Sequence, residues 1–227
     1  MNTGLERYSF RLNLKSELAK RLVLQLNTSY SQTEQKQTSH SQSSSMNQMV
    51  RRILTTKPTL MPGDQIYEDE NVEYVPADNP YIMATELKDI LQQRFFILNA
   101  SLTYNFGKGL SWKGAGSFNR TDGSRSTYYP IGTNAGNSAH GMAFRGEDNR
   151  QNIVLETTVN YDRKFKKHHH INAVLGYTHE DRQRKTLAIQ VGDFAGNDLL
   201  YYAIGEGTNT MDKSSSCLLY TSPSPRD

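Results

Sequence analysis

The chain has 227 residues, with 26 Lys plus Arg against 23 Asp plus Glu, one cysteine and 36% hydrophobic residues. The net charge of +3 is spread along the chain and gives no case for a nucleic-acid partner, and the single Cys217 excludes a disulfide framework or a cysteine-based zinc site. No apolar run reaches the roughly eighteen residues of a membrane-spanning helix, a rule that leaves a membrane β-barrel open because barrel strands are only half apolar.

Met1–Leu14, MNTGLERYSFRLNL, lacks the basic start and apolar run of a signal peptide, so an exported protein is expected to begin upstream. Alternation starts at Tyr8: Tyr8, Phe10, Leu12 and Leu14 alternate with Ser9, Arg11 and Asn13. After KSELAKR, Leu22, Leu24, Leu26, Thr28 and Tyr30 stand opposite Val23, Gln25, Asn27 and Ser29; Val23, like Val154 and Val174 further on, breaks the wet-face rule. A period of two predicts strands with one dry and one wet face.

A long connection, 31 to about 92, follows. Within it SSMNQMVRRILTTKP predicts a short amphipathic helix, with Met46, Met49, Val50, Ile53 and Leu54 on one face and Pro58 after its end. DQIYEDENVEY is dense in carboxylates, Asp64, Glu68, Asp69, Glu70 and Glu73, but lacks EF-hand spacing and reads as a solvated loop.

The third and fourth strands flank a GKG turn. Phe96, Leu98, Ala100, Leu102, Tyr104 and Phe106 precede it; Leu110, Trp112, Gly114, Gly116 and Phe118 follow. GKG lacks the features of a phosphate loop, as does GEG at 205–207. A second long connection, about 121–151, leads to a fifth strand with Ile153, Leu155, Thr157, Val159 and Tyr161 on its dry face. RKFKKHH then leads to a sixth with Ile171, Ala173, Leu175 and Tyr177. A third long segment begins near Asp181. The end, CLLYTSPSPRD, breaks with the preceding pattern, so residues 214–227 are expected to be a non-native tail outside the fold and 1–213 the folded part.

Short connections alternating with long ones suit an outer-membrane barrel, with turns at the periplasmic end and loops outside. About ten residues rising ~3.3 Å each at a ~45° tilt cross roughly 23 Å, near the ~25 Å apolar band of such barrels. The polar long connections offer no second apolar layer, so the dry face is expected to touch outer-membrane lipid. The lipid-facing set is Phe10, Leu12, Leu24, Leu26, Phe96, Leu98, Leu102, Tyr104, Trp112, Leu155, Val159, Tyr161, Ile171, Leu175 and Tyr177. Aromatics fall towards both expected interfaces. The fold class expected is therefore all-β: an antiparallel up-and-down transmembrane barrel segment of about six strands, too few to close by themselves.

ERYSFRLNLKSELAKRLVLQLNTSYS, PADNPYI, LTYNFGKGLSWKGAGSFNR, LETTVNYDRKFKKHHHINAVLGYTHE and VGDFAGNDLLYYAIGEGT, taken in order, resemble the barrel of SusC/RagA-type TonB-dependent transporters of Bacteroidota. That resemblance implies a 22-stranded barrel with a plug outside this stretch, TonB contact through that N-terminal part, a SusD-like surface lipoprotein, and import of oligosaccharide or peptide. It implies no cofactor and no catalysis. Two rivals are a passive porin or adhesion barrel, and a secreted β-rich glycan-binding protein.

Of the candidate site residues, adjacent His168, His169 and His170 alternate across a strand, so at most His168 and His170 could share a metal; a basic turn is the expectation. Asn27, Asn99 and Asn119 match a glycosylation pattern only by composition. Tyr67, Tyr74, Tyr81, Tyr128 and Tyr129 are expected in the long loops, where an aromatic face stacks on substrate or meets a lid.

Overall fold

A computed structural model describes residues 3–37, 54, 80–165, 169–196 and 200–226. The alternating segments form one antiparallel seven-stranded sheet in which every strand pairs with its sequence neighbours, in the order β1 to β7. The strands are β1 (Gly4–Ala19), β2 (Leu22–Gln37), β3 (Lys88–Gly107), β4 (Leu110–Tyr129), β5 (Met142–Phe165), β6 (His169–Gly192) and β7 (Asn209–Arg226). The sheet is not closed: β1 pairs only with β2, and β7 only with β6, among the described residues.

The strands are 16 to 24 residues long, about twice the alternating runs seen in the sequence. The excess lies at the long-connection end. There Gln32–Gln37, Thr121–Tyr129 and Met142–Gln151 continue the ladders although both faces are mostly polar. Hydrogen bonding between strands needs no apolar side chain, so the pairing persists where the pattern that announces it has stopped. The expected thirty-residue connection after Arg120 shrinks to 130–141.

The expected tail runs on as a paired strand. Residues 214–226 belong to β7, paired in register from Gly192↔Asn209 to Gly176↔Arg226 with one bulge. Here too the backbone supplies the pairing. No alternation marks the strand: Ser214, Ser215 and Ser216 fall on both faces, and Leu218, Leu219 and Tyr220 are all exposed.

At the other end the connections are tight. Lys20 and Arg21 turn β1 into β2, and Gly107, Lys108 and Gly109 turn β3 into β4 with φ of 85°, 55° and 88°. Left-handed backbone is what glycine tolerates at no steric cost, and Gly109 has a second reason to lack a side chain. A Cβ there would stand 1.9 Å from the Asp162 carbonyl oxygen, because Asp162 N–H donates to the Gly109 carbonyl at 2.8 Å.

The small buried core sits at the long-connection end. Helix α1 (Pro80–Thr85) brings Ile82 and Met83, helix α2 (Asn134–Ser138) is capped by Thr133, and a 3-10 turn covers Leu200–Glu206. Tyr128, Ala143, Val191 and Phe194 are packed there, with Leu200, Tyr201 and Ile204 against them. The predicted helix at 46–54 lies outside the described residues except for Leu54, which is helical and exposed. No helix among the described residues is long and apolar enough to cross a membrane, which says nothing of a β-barrel.

Candidate functional site: two faces of one wall

Register decides which side chains share a face, since paired residues point the same way. One row runs Leu12, Thr28, Leu98, Phe118, Ile153; another runs Leu22, Tyr104, Trp112, Val159, Leu175. The whole expected lipid-facing set, from Phe10 to Tyr177, falls on this one face. None of its members is buried; exposure ranges from intermediate, as at Leu98 and Trp112, to 61% at Phe10 and 72% at Leu175.

The edges of this apolar band do not follow the hydrogen-bonded rows. The row of Tyr8, the last apolar residue of this face on β1, continues through Gln32, Arg94, Asp122 and Asn149 to Lys185 on β6. On β6 the apolar run ends at Tyr177, eight residues earlier. Eight residues rise ~26 Å, and five strand spacings span ~24 Å, so the edge is inclined by about 45° to the rows. The lower edge, from Leu14 on β1 to Ile171 on β6, makes the same drop. A level hydrocarbon slab crossed by strands tilted ~35–45° has this outline.

Aromatic contacts mark both edges. Phe96 and Phe118 meet at 6.0 Å between centroids near the upper edge, and Tyr104 and Phe106 at 4.7 Å near the lower. Arg163 lies 4.8 Å over the Phe165 ring. Inside the band, Trp112 folds over Gly114, where a Cβ would be 2.9 Å from the indole, and its Nε1 donates to Thr157 Oγ1 at 2.8 Å.

The opposite face is mostly polar, interrupted by Val23, Phe95, Ile97, Val154 and Val174. Its rows read Asn13, Asn27, Asn99, Ser117 and Lys15, Gln25, Ser101, Ala115, Glu156. A depression of about 350 Å³ lies here, lined by Gln25, Asn27, Asn99, Lys113, Ser117 and Glu156 among others. Above the level of the apolar band this face carries ion pairs. Asp89, with no exposed side-chain surface, accepts from Arg125 Nε at 2.9 Å and Nη2 at 2.5 Å and from Thr127 Oγ1 at 3.1 Å. Asp148 accepts from Arg150 Nη2 at 2.5 Å and Arg184 Nε at 3.0 Å. Those hydrogen bonds, from Arg150 and then Arg184, hold its carboxyl at about 2, below the ordinary 3.8. Asn152 Oδ1 is buried without a hydrogen-bond partner among the described residues.

These ion pairs were missed in the sequence, yet a signal for them exists. Asp148 and Arg150, and Glu180 and Arg182, stand two apart on the polar face; Glu34 and Lys36, Arg120 and Asp122, and Arg145 and Glu147 show the same spacing on the other face, above the apolar band. The Arg184 contact to Asp148, by contrast, depends on pairing between strands.

Of the expected tyrosine contacts, Tyr67 and Tyr74 lie outside the described residues. Tyr81 sits half exposed on α1. Tyr128 and Tyr129 are corrected from loop to strand: they end β4. Tyr128 has no exposed surface and meets Phe194 edge-on at 5.8 Å, so it serves the loop core. A tyrosine pair that the sequence reading did not single out is half-buried Tyr201 and exposed Tyr202, with rings 4.4 Å apart and hydroxyls at 3.1 Å. Burial, then the Tyr202 hydrogen bond, pushes the Tyr201 phenol up.

His168 and the carboxylates Asp64 to Glu73 lie outside the described residues. His170 Nε2 is 2.7 Å from Asp162 Oδ1. Among the described residues no three His, Cys, Asp or Glu side chains gather as a metal site.

Solved structures with this architecture exist. The RagAB peptide transporter matches 96% of the chain with a TM-score of 0.74 at 17% identity. The fold is that of a RagA-like barrel wall. The RagAB peptide importer in its 'open-open' state matches with a TM-score of 0.72, and in its 'closed-closed' state with 0.71. TonB-dependent receptor P3 of Formosa agariphila is 23% identical over 220 residues, 95% of this chain. No family model matches. The RagA-like wall spans 22% of that receptor and 25% of each RagAB chain, in keeping with a sheet that does not close.

Proposed function

We propose that this chain is part of the wall of a TonB-dependent outer-membrane transporter that imports large nutrients, oligopeptides or oligosaccharides, beneath a SusD-like lipoprotein. The observation carrying this reading is the oblique, exposed apolar band with a polar, ion-paired surface behind it. Hydrocarbon covers the band without a second protein layer, and the polar face borders a wet lumen. Energy coupling through TonB and closure by the lipoprotein belong to parts of the complete protein beyond this wall. The fold likeness and the receptor's name support the reading.

The residues proposed to touch lipid are the fifteen-residue set from Phe10 to Tyr177 given above; the exposed Tyr81 is proposed to face substrate or lid. We also infer that 214–227 are foreign to the native wall. Pro223 and Pro225 lie in β7, whereas none of the other six strands contains a proline.

The test is fractionation of the complete gene product. It is expected in the outer membrane, soluble only in detergent and migrating faster unheated than boiled on a denaturing gel. Recovery as a detergent-free soluble protein overturns the reading. Loss of uptake on deleting the TonB gene separates active import from a passive pore.

A further inference from the structure

We infer that Arg150 and Arg184, on the polar face above the apolar band, bind a side-chain carboxylate of an acidic peptide passing along the wall. The inference rests on the reading of that face as the lining of an import path.

Arg150 and Arg184 are direct cross-strand partners in the register of β5 and β6. Like charges placed opposite one another destabilise a sheet pair unless something neutralises them. Asp148 is the acid that both contact. Arg150 reaches it through Nε at 3.1 Å and Nη2 at 2.5 Å, and Arg184 through Nε at 3.0 Å and Nη2 at 3.1 Å. Both guanidiniums therefore present the same edge to one carboxylate, and the Nη1 of each has no hydrogen bond among the described residues.

The acid on the neighbouring part of β6, Glu180, is engaged by Arg182 at 2.7 Å. The three-residue cluster is thus one negative charge short of neutrality. The two arginine side chains remain 55% and 50% exposed on the polar face. A guanidinium with a free edge donates directed, charge-assisted hydrogen bonds to a carboxylate. A second carboxylate would neutralise the cluster and relieve the repulsion between the facing arginines. A flexible peptide can turn one side chain onto such a site while its backbone remains free to move on.

The experiment uses the complete transporter in detergent at low salt and a hexapeptide with two glutamates, beside its glutamine counterpart. The glutamate peptide is expected to bind about tenfold more tightly, as two charge-assisted bonds predict. Arg184→Gln leaves Asp148 paired with Arg150, so the wall keeps its fold, checked by heat-modifiable migration. That variant is expected to abolish the difference, and Arg184→Lys, whose single ammonium has no second edge beyond Asp148, to lose most of it. Equal binding of the two peptides by the native protein, or unchanged discrimination in Arg184→Gln, overturns the inference. If an oligogalacturonate, rather than the peptides, shows discrimination over its methyl ester and loses it in Arg184→Gln, the peptide assignment is wrong. If neither peptide binds, peptide import fails as a reading and this site with it.

Discussion

Trp112 donates its indole N–H to the Thr157 hydroxyl across β4 and β5, at 2.8 Å, on the face assigned to lipid. Neither group has water to fall back on in hydrocarbon, so each depends on the other. Thr157→Val in the complete barrel should cost about 1–2 kcal/mol by stranding the indole N–H. Adding Trp112→Phe should restore the hydrogen-bonding balance, so the double variant loses less than the sum. Denaturant unfolding in lipid vesicles measures all three, and strict additivity contradicts the lipid-side pairing.

Leu98 and Asn99 are neighbours on β3 and point to opposite faces. Leu98→Arg places a charge in the apolar band and should destabilise the barrel by roughly 2–4 kcal/mol near mid-depth, whereas Asn99→Arg faces the lumen and should cost far less. Equal losses in the same unfolding measurement would reverse the assignment of the faces.

Gly107 and Gly109 have nearly the same positive φ but different surroundings. At Gly107 the nearest group to an added Cβ is the Arg21 guanidinium, the end of a long side chain, at an ordinary 3.5 Å; at Gly109 it is the Asp162 carbonyl at 1.9 Å. Gly107→Ala should therefore cost only the backbone strain, about 1–2 kcal/mol. Gly109→Ala must also displace the β5 backbone, so it should reduce folded barrel yield much further. Comparable yields of the two variants would count against the turn geometry.

Arg125 covers a carboxylate with no exposed side-chain surface, Asp89, while Arg120 and Asp122 form a pair open to solvent. Removing one partner of a buried pair leaves an uncompensated charge, so Arg125→Met should cost about 3–5 kcal/mol. Arg120→Met should cost no more than about 1 kcal/mol. The difference is read from denaturant midpoints of the complete barrel.

Asp148 has its carboxyl held at about 2 against an ordinary 3.8. A folded value below the unfolded one means that the stabilisation is present above the unfolded value and disappears as pH falls towards the folded one. The contribution of Asp148 is therefore expected to be complete above pH ~5 and to fade between pH ~4 and ~2. Isotope-edited infrared spectra should show its carboxylate band persisting at pH 3, and Asp148→Asn should remove this part of the acid sensitivity.

Much of the wall was legible because side-chain alternation is a property of one strand at a time. Leu98, Leu102 and Tyr104 declare their common face without reference to any other strand, and the glycines of GKG announce the turn between β3 and β4. The upper halves of β2, β4 and β5 carried no such notice, since a paired strand that is polar on both faces has no periodicity to read. Tyr128 was placed in a loop for that reason, and β7 was not expected at all.

The sequence alone determined that the chain forms strands with a dry side and a wet side, every second connection being too short for anything but antiparallel neighbours. Only the tertiary structure decided how far each strand slides against the next, and so that the dry stripes join into a band inclined at about 45° to the rows. It also decided that Arg150 faces Arg184 with one carboxylate between them. Alternation follows from backbone geometry within a few residues. Register is fixed by pairings between residues tens of positions apart, whose partners no local pattern names.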